Sequence, residues 1–250
     1  MNFRVTKQNR IAEVVMDKPP VNAFGYADLE ELAPIITKLG EDSDVNVIIL
    51  YAEGRGFCGG SDIKELATDP GCISKVNRAA FNAFKAIHHC KVPVISAVHG
   101  FALGTGAAIV GASDILIAAE NTKFGLPEIN VGMLGGASHM LRILPLSKVR
   151  TMYYTGIPIS AEEMYRLGAV ERVVLKAELL DVARALASEI ASKSSTGLRF
   201  AKEALNAIEP VDLERNYRLE QGYTFEISNL DAGQEARKAF KEGRKADYKD

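Results

Sequence analysis

The chain has 250 residues, of which 47% are hydrophobic and 25% are charged, a mixture that excludes disordered and fibrous proteins. Its formal net charge of −2 provides no global field that would attract nucleic acid or an anionic membrane, so we expect neither partner. The three cysteines show no CxxC or Cys/His spacing, so we predict neither a disulfide framework nor a metal site. Because residues 1–10 also lack the apolar core of a signal peptide, we expect a cytoplasmic location.

The first half of the chain alternates predicted strands with glycine-bearing loops and helices. Two short strands at 3–7 and 11–16 precede a helix at 26–39, in which Pro34 is a candidate kink. Residues 45–51, VNVIILY, form a β-branched run that is typical of a strand buried on both faces. The same alternation predicts helices at 61–67, 73–88 and within 100–111, and strands at 92–98 and 114–118. Strands joined by crossovers pair largely in parallel, so the pattern predicts an α/β core.

The second half of the chain is mostly helical after about residue 132. Only residues 169–174 interrupt it as a further candidate strand. The predicted helices cover residues 136–144, 147–154, 161–167, 178–193, 198–207, 213–228 and 232–243. We therefore expect an N-terminal α/β core followed by a helical region that packs on the core or on a neighbouring subunit.

Two glycine-bearing loops each follow a predicted buried strand and open a helix. The first is RGFCGGSDIKEL at 55–66, and the second is HGFALGTG at 99–106. Helix-start N–H groups have no intrahelical acceptor, so two of them converging on one oxygen can stabilise a thioester enolate as an oxyanion hole. Glycine turns that serve only tight packing are the alternative. A phosphate-binding loop is disfavoured, because neither segment matches GxxxxGK[ST] or GxGxxG.

Four linked motifs lie between residues 55 and 174, within a similarity that runs from PPVNAF at 19–24 to the closing KAFKEGRKADYKD. They are RGFCGGSDIKEL (55–66), KVPVISAVHGFALGTG (91–106), SDILIAAENTKFGLPEINVG (113–132) and TGIPISAEEMYRLGAVERVV (155–174). In this order and spacing the sequence resembles the crotonase (enoyl-CoA hydratase/isomerase) superfamily. The resemblance implies an α/β crotonase-like spiral of ββα units at residues 1–190, with a C-terminal helical trimerisation region at 191–250. It also implies a homotrimer or homohexamer that takes an acyl-CoA thioester as its substrate and uses no further cofactor.

The resemblance also assigns residues to the binding site. The family's two oxyanion-hole donors fall on the backbone N–H groups of Ser61 and Thr105. The helix from Asp62 borders the family's CoA-binding cleft. The residues predicted to contact the substrate or its CoA are Gly59, Gly60, Asp62, Ile63 and Gly104.

Only one of the family's two acid/base residues has a counterpart in this sequence. Enoyl-CoA hydratases of the family use two glutamates, of which the later falls on Glu128 in FGLPE. The earlier falls on Ala108, where the hydratases have GGGCE and this chain has GTGAA. Alanine cannot give or take a proton, so Glu128 is predicted to act as the single carboxylate. His139 is the candidate for a second acid/base, against the alternative of a packed or surface histidine.

Three classes of function remain open at this point. The resemblance implies an enzyme for enoyl-CoA isomerisation or hydration/dehydration. An acyl-CoA decarboxylase or hydrolase of the same fold is the first alternative, and a non-catalytic protein that binds RNA or a protein partner is the second. The near-neutral charge and the intact FGLPE motif argue against the non-catalytic alternative.

Overall fold

The computed structural model of the protein describes residues 2–68 and 72–248. Its strands are β1 (Phe3–Gln8), β2 (Ile11–Met16), β3 (Ala23–Phe24), β4 (Val47–Ala52), β5 (Gly60–Ser61), β6 (Val94–Val98), β7 (Phe101–Leu103), β8 (Ile115–Ala119), β9 (Lys123–Gly125), β10 (Ile159–Ser160) and β11 (Arg172–Val174). Its α-helices are α1 (Tyr26–Glu41), α2 (Ile63–Thr68), α3 (Cys72–His88), α4 (Thr105–Ala112), α5 (Ala137–Met140), α6 (Leu146–Thr155), α7 (Ala161–Arg166), α8 (Leu179–Ala191), α9 (Ser195–Ile208), α10 (Leu213–Asn229) and α11 (Asp231–Glu242). Short 3₁₀ helices lie at Pro127–Val131 and Lys176–Glu178.

The main sheet has six strands in the order β1-β2-β4-β6-β8-β11. Within this sheet, β2, β4, β6, β8 and β11 pair in parallel with their neighbours. β1 pairs antiparallel with β2 as a hairpin. One face of the sheet packs against α8, which contributes Leu179, Ala183 and Ala187 to that apolar layer. The opposite face forms the larger core together with α1, α3 and α4. The prediction of an α/β core with largely parallel pairing is thus confirmed.

A second layer consists of short strands that follow the main-sheet strands. β5 follows β4, β7 follows β6, and β9 follows β8, and a helical segment comes after each pair. β3 pairs with β5, and β7 and β10 pair with β9. A parallel bridge between Cys58 and Ala102 links the two small sheets. This repetition of strand, strand and helix is the spiral of ββα units that the resemblance implies.

Some predicted helices differ from the observed ones. α1 passes through Pro34 without interruption, and the exposed ring of this residue lies on the solvent side. The helix predicted at 136–144 is shorter, because α5 ends at Met140 and turns lead to Leu144. Pro145 follows immediately, and a proline disfavours helical backbone at the residue before it. α9 begins at Ser195, three residues before the predicted start, because the Ser194 side chain accepts a hydrogen bond from the Gly197 N–H.

The apolar stretch at residues 92–119 is divided among β6, β7, α4 and β8. Within residues 2–68 and 72–248, no helix combines the length and the apolar character needed to cross a bilayer.

Candidate functional site

The two glycine-bearing loops meet where the second layer crosses the ends of the main strands. Ser61 ends β5, and Thr105 begins α4. Their hydroxyl oxygens lie 2.9 Å apart and are hydrogen bonded to each other. As the first residue of its helix, Thr105 has a backbone N–H without an acceptor inside α4. The structure therefore brings together the two residues predicted to donate to an oxyanion.

Gly104 meets two requirements at this junction. Its φ of +53° lies in the left-handed region, where a Cβ is strained. A Cβ added there would also lie only 2.9 Å from Oε1 of Glu128. Its N–H donates to the Gly125 carbonyl at 3.0 Å, which fixes the start of α4 beside β9. The glycine thus allows the backbone of the second loop to approach the predicted acid/base.

Glu128 lies in the 3₁₀ helix that follows β9, directly after Pro127. Although the residue as a whole is half-buried, its Oε2 is shielded from solvent and has no hydrogen-bond partner among the described residues. Burial raises the pKa of the Glu128 carboxyl to about 8, and the negative charge of Glu220 adds to the rise. Near neutral pH this carboxyl can therefore both give and take a proton.

A cavity that opens to solvent connects these groups, and the space between its walls, open solvent included, is about 500 Å³. Ser61, Gly104, Thr105, Ala108 and Glu128 all line it. Much of the remaining wall is apolar and comes from α3 and from the segment after the 3₁₀ helix: Ile73, Val76, Ala80, Phe84, Met133 and Leu134. Such a lining suits an apolar acyl group whose polar carbonyl reaches the N–H donors.

Ala108 lies one turn into α4, where its N–H donates to the Gly104 carbonyl at 2.9 Å. Because it lines the cavity, a longer side chain at this position would reach the space beside Glu128. The position of the missing family glutamate therefore belongs to the site, but it carries no titratable group.

His139 does not line this cavity. It is 1% exposed, and its ring contacts Phe84 and Tyr217 edge-on, with centroid distances of 4.9 and 4.5 Å. Burial lowers the pKa of His139 to about 3, so the ring is neutral. Both aromatic neighbours line the cavity, so the histidine lies behind the cavity wall. This geometry favours the packed alternative for His139 over a second acid/base.

The residues predicted to contact CoA flank Ser61. Gly59 donates its N–H to the Val21 carbonyl at 2.9 Å, and Gly60 has a φ of +111°. Asp62 accepts hydrogen bonds from the N–H groups of Lys64 and Glu65, so it caps the start of α2, where Ile63 is the first residue. Of the predicted contacts, Gly104 lines the cavity itself. Gly59, Gly60, Asp62 and Ile63 belong to the first glycine-bearing loop beside Ser61 and are not part of the cavity wall.

The contribution of α10 to the cavity was not predicted. Tyr217 and Thr224 from this helix line the cavity, and Glu220 lies between them on the same face. Glu220 is 8% exposed and accepts four hydrogen bonds: from Ala137 N (2.9 Å), Ser138 N (3.1 Å), Ser138 Oγ (2.7 Å) and Tyr153 Oη (2.8 Å). A stripe of polar residues on the buried face of a predicted helix was the available signal, but its partners could not be inferred from it.

No group of three or more His, Cys, Asp or Glu side chains in the described part of the chain could hold a metal ion. The polar groups at the cavity include backbone N–H groups, the Ser61 and Thr105 hydroxyls and the Glu128 carboxyl. Together they can hold an oxygen that becomes negatively charged and move one proton beside it.

Comparison with known proteins identifies the family. The model of the enoyl-CoA hydratase/isomerase family matches residues 6–250. The chain belongs to this family. A relative from Rhodococcus jostii (strain RHA1), the (7aS)-7a-methyl-1,5-dioxo-2,3,5,6,7,7a-hexahydro-1H-indene-carboxyl-CoA hydrolase, is 44% identical over 95% of this chain and 93% of its own length. The short-chain-enoyl-CoA hydratase of Clostridium acetobutylicum is 31% identical over 98% of this chain and 96% of its own length.

The solved structures agree on the fold. An enoyl-CoA hydratase from Mycobacterium avium subsp. paratuberculosis K-10 superimposes with a TM-score of 0.89 at 21% identity, covering 100% of this chain and 99% of that one. The crotonase-like α/β spiral with a helical C-terminal region is therefore confirmed. The chain is an acyl-CoA-processing enzyme of the crotonase superfamily.

Proposed function

We propose that this enzyme hydrolyses an acyl-CoA substrate, with Glu128 as its single carboxylate acid/base and the N–H groups of Ser61 and Thr105 as oxyanion donors. One observation carries the proposal: the Glu128 carboxyl, whose shielded Oε2 has no hydrogen-bond partner among the described residues, lines a largely apolar cavity beside both proposed donors, while Ala108 supplies no second carboxylate. The hydrolase name of the Rhodococcus relative, at 44% identity, supports hydrolysis over the isomerisation or hydration that the resemblance first implied.

The proposed step moves one proton and one oxygen. Ionised Glu128 takes a proton from water as the water oxygen bonds to a carbonyl carbon of the substrate. The displaced electron pair goes to an oxygen that the two N–H groups stabilise. When the intermediate collapses, the group that leaves with the electron pair regains a proton from Glu128. The carboxylate is thereby restored for the next cycle.

The cavity favours an apolar acyl group, because its wall is largely apolar. The named substrate of the Rhodococcus relative is a methyl-substituted indene-type bicycle with two oxo groups and a CoA thioester. We propose a cyclic, oxo-substituted acyl-CoA of this kind. Water could then cleave either the thioester C–S bond or a C–C bond next to a ring ketone.

Isomerisation remains the second candidate, because one specific observation favours it. The pKa of Glu128, raised to about 8 by burial, allows the same carboxyl to remove a proton from one carbon and return it to another. Hydration of a double bond is disfavoured, since water must be oriented while a second proton is delivered, and Ala108 cannot assist.

The deciding experiment follows a panel of acyl-CoAs by mass spectrometry in H₂¹⁸O and, separately, in D₂O. Thioester hydrolysis releases free CoA and labels the free acid with ¹⁸O. Hydrolysis of a C–C bond places ¹⁸O in a new carboxylate while the product keeps its CoA. Isomerisation exchanges deuterium without ¹⁸O. The Glu128→Gln variant is the control for background hydrolysis. If oxo-substituted acyl-CoAs acquire no ¹⁸O above this control, the hydrolase proposal is wrong.

We also propose the homotrimer or homohexamer that the family resemblance implies. Large apolar side chains on α9 and α10 remain exposed in the single chain, among them Phe200, Leu205, Ile208, Leu219 and Tyr223. Light scattering at micromolar concentration should give a mass of three or six chains. A monomer under these conditions would contradict the proposal.

A further inference from the structure

Residues 134–138 form the part of the cavity wall that lies over Glu128. A Cβ placed on Gly135 or Gly136 would lie 3.6 or 3.8 Å from Oε1 of Glu128, so this 134–138 segment lies beside the carboxyl. The segment has little regular structure of its own, because only its last two residues belong to the short helix α5. Its position relative to Glu128 must therefore be fixed by neighbouring elements.

Helix α10 forms hydrogen bonds with both ends of the 134–138 segment. At one end, the Thr224 hydroxyl donates to the carbonyl of Leu134. At the other end, Glu220 accepts from the N–H groups of Ala137 and Ser138 at 2.9 and 3.1 Å. These are backbone groups at the start of α5, which have no acceptor within that helix. One face of α10 thus holds the segment against Glu128.

The Glu220 carboxylate accepts hydrogen bonds but forms no ion pair within the described part of the chain. The Ser138 hydroxyl and the Tyr153 phenol, from α6, complete the set at 2.7 and 2.8 Å. An ionised carboxylate only accepts hydrogen bonds, so four converging donors suit its charged form. Over residues 2–68 and 72–248, no Lys, Arg or His forms an ion pair with Glu220. The charge is therefore held in place without being neutralised by a neighbouring one.

We infer that Glu220 is a positioning residue of this site, which fixes the 134–138 segment against Glu128 by hydrogen bonds and acts on Glu128 through its own charge. The inference rests on the proposed function only in that Glu128 is the group that carries the proton there.

The charge argument depends on what else faces Glu128. From α10 and α6 the other titratable groups are the phenols of Tyr217 and Tyr153, whose pKa values are raised, first by burial, so both are neutral. From α11, Arg237 donates to the Gly132 and Ser228 carbonyls. From α4 the facing residue is Ala108, and α3 presents no titratable side chain to the cavity. Within this described shell, Glu220 is the group whose charge raises the pKa of Glu128.

The direction of the expected effect follows. Two nearby carboxylates disfavour ionisation of one another, so the Glu220 charge retains the proton on Glu128. Removing that charge should lower the pH at which Glu128 ionises. The shift should be partial, because burial, the larger cause of the raised pKa, remains in place.

The experiment titrates Glu128 directly, without using turnover. The carboxyl C=O absorption of Glu128 is isolated by infrared difference against the Glu128→Gln variant, and its midpoint is followed over pH. We expect a midpoint near 8 in the unchanged protein. Glu220→Gln should lower it by about one pH unit. Tyr153→Phe, the matched control, removes one donor but keeps the charge, so its midpoint should stay within about 0.3 unit. An unchanged midpoint in folded Glu220→Gln overturns the inference.

A second measurement covers the case in which Glu220→Gln does not fold. Ser138→Ala removes one hydroxyl donor and leaves the Glu220 charge in place. In this variant and in Tyr153→Phe, amide hydrogen exchange at residues 137 and 138 should accelerate by about 5- to 10-fold. Exchange at the rate of the unchanged protein in both variants would overturn the anchoring role. Neither measurement uses a substrate. Absence of hydrolysis would therefore reject the proposed function, whereas the role of Glu220 is decided only by the titration and the hydrogen exchange.

Discussion

Glu128 lines the cavity, whereas Glu220 is buried behind its wall, and the fold provides very different surroundings for the two carboxyl groups. Glu220 accepts four hydrogen bonds: two from the backbone N–H groups of Ala137 and Ser138, and two from the hydroxyls of Ser138 and Tyr153. Glu128 has one oxygen that is shielded from water and has no donor among the described residues. The first environment suits a fixed charge, and the second suits a carboxyl that exchanges a proton.

The two carboxyl groups differ in the hydrogen-bond donors that surround them, and this difference suits them to separate roles. Hydrogen bonds to the charged form stabilise an anion, whereas burial without donors favours the neutral acid. Two titratable groups whose surroundings differ in this way are often an acid/base and its support. The roles proposed for the two carboxyl groups thus depend on the donors around each of them, because the residue type is the same.

The largest expected effect comes from removing the proton carrier. Glu128→Gln keeps the shape of the side chain but cannot exchange a proton, so turnover should fall by about 100-fold or more. Acyl-CoA binding, measured by calorimetry, should be retained. The matched control is Glu226→Gln, which changes an exposed glutamate on α10 and should retain full turnover. Near-normal activity of Glu128→Gln would remove this residue from the mechanism.

The same substitution should stabilise the protein, and the effect should depend on pH. The folded-state pKa of Glu128 is raised by burial to about 8 from an ordinary 4.5, so folding favours the protonated form. This contribution is fully present below pH 4.5 and is lost as the pH rises through 8. Relative to Glu128→Gln, the wild-type enzyme should therefore lose about 3.5 kcal/mol of stability between pH 5 and pH 8. Urea unfolding at both pH values measures the difference, and an equal difference at both would contradict the burial of this carboxyl.

The pH dependence of the reaction tests which form of Glu128 is active. A general base must be ionised, so kcat/KM should rise about tenfold per pH unit below the midpoint and level off above it. The pKa of Glu128, raised by burial, puts this midpoint near 8. Stopped-flow assays from pH 5.5 to 9.5 record the profile. A profile that is flat over this range, or falls with rising pH, would mean that the free enzyme does not use Glu128 as a base.

Much of the fold could be predicted from the sequence, because its signals are local. The apolar β-branched runs in β4 and β6 gave the parallel core, and the periodic helices α1 and α3 were recognised with small changes at their ends. The short strands β5 and β7 fall within the two predicted glycine-bearing loops, and no element was predicted at β9. Strands of two or three residues show no periodicity, and their pairing depends on partners far along the chain.

The candidate site divides in the same way. Ser61, Thr105 and Glu128 belong to contiguous motifs, and the structure brings all three to one cavity. Glu220 could not be predicted, since its Ser138 partner lies 82 residues earlier in the chain. The sequence assigned residues 191–250 to subunit contacts, and that assignment stays a prediction. α10, from that region, also packs against the cavity of its own chain.

The smallest expected effect concerns the hydroxyls beside the oxyanion donors. Ser61 Oγ and Thr105 Oγ1 are hydrogen bonded at 2.9 Å, so one of their two protons is used between them and the other is free to reach a substrate oxygen. Thr105→Ala removes one hydroxyl but keeps the backbone N–H, which is the predicted main donor. A net loss of one hydrogen bond of about 1 kcal/mol lowers kcat/KM by about fivefold. Ser61→Ala is the matched variant and should have a similar effect, because it breaks the same pair. A loss of kcat/KM as large as that of Glu128→Gln in either variant would mean that a hydroxyl, rather than the N–H groups, stabilises the oxyanion. The roles proposed for the backbone donors at Ser61 and Thr105 would then be wrong.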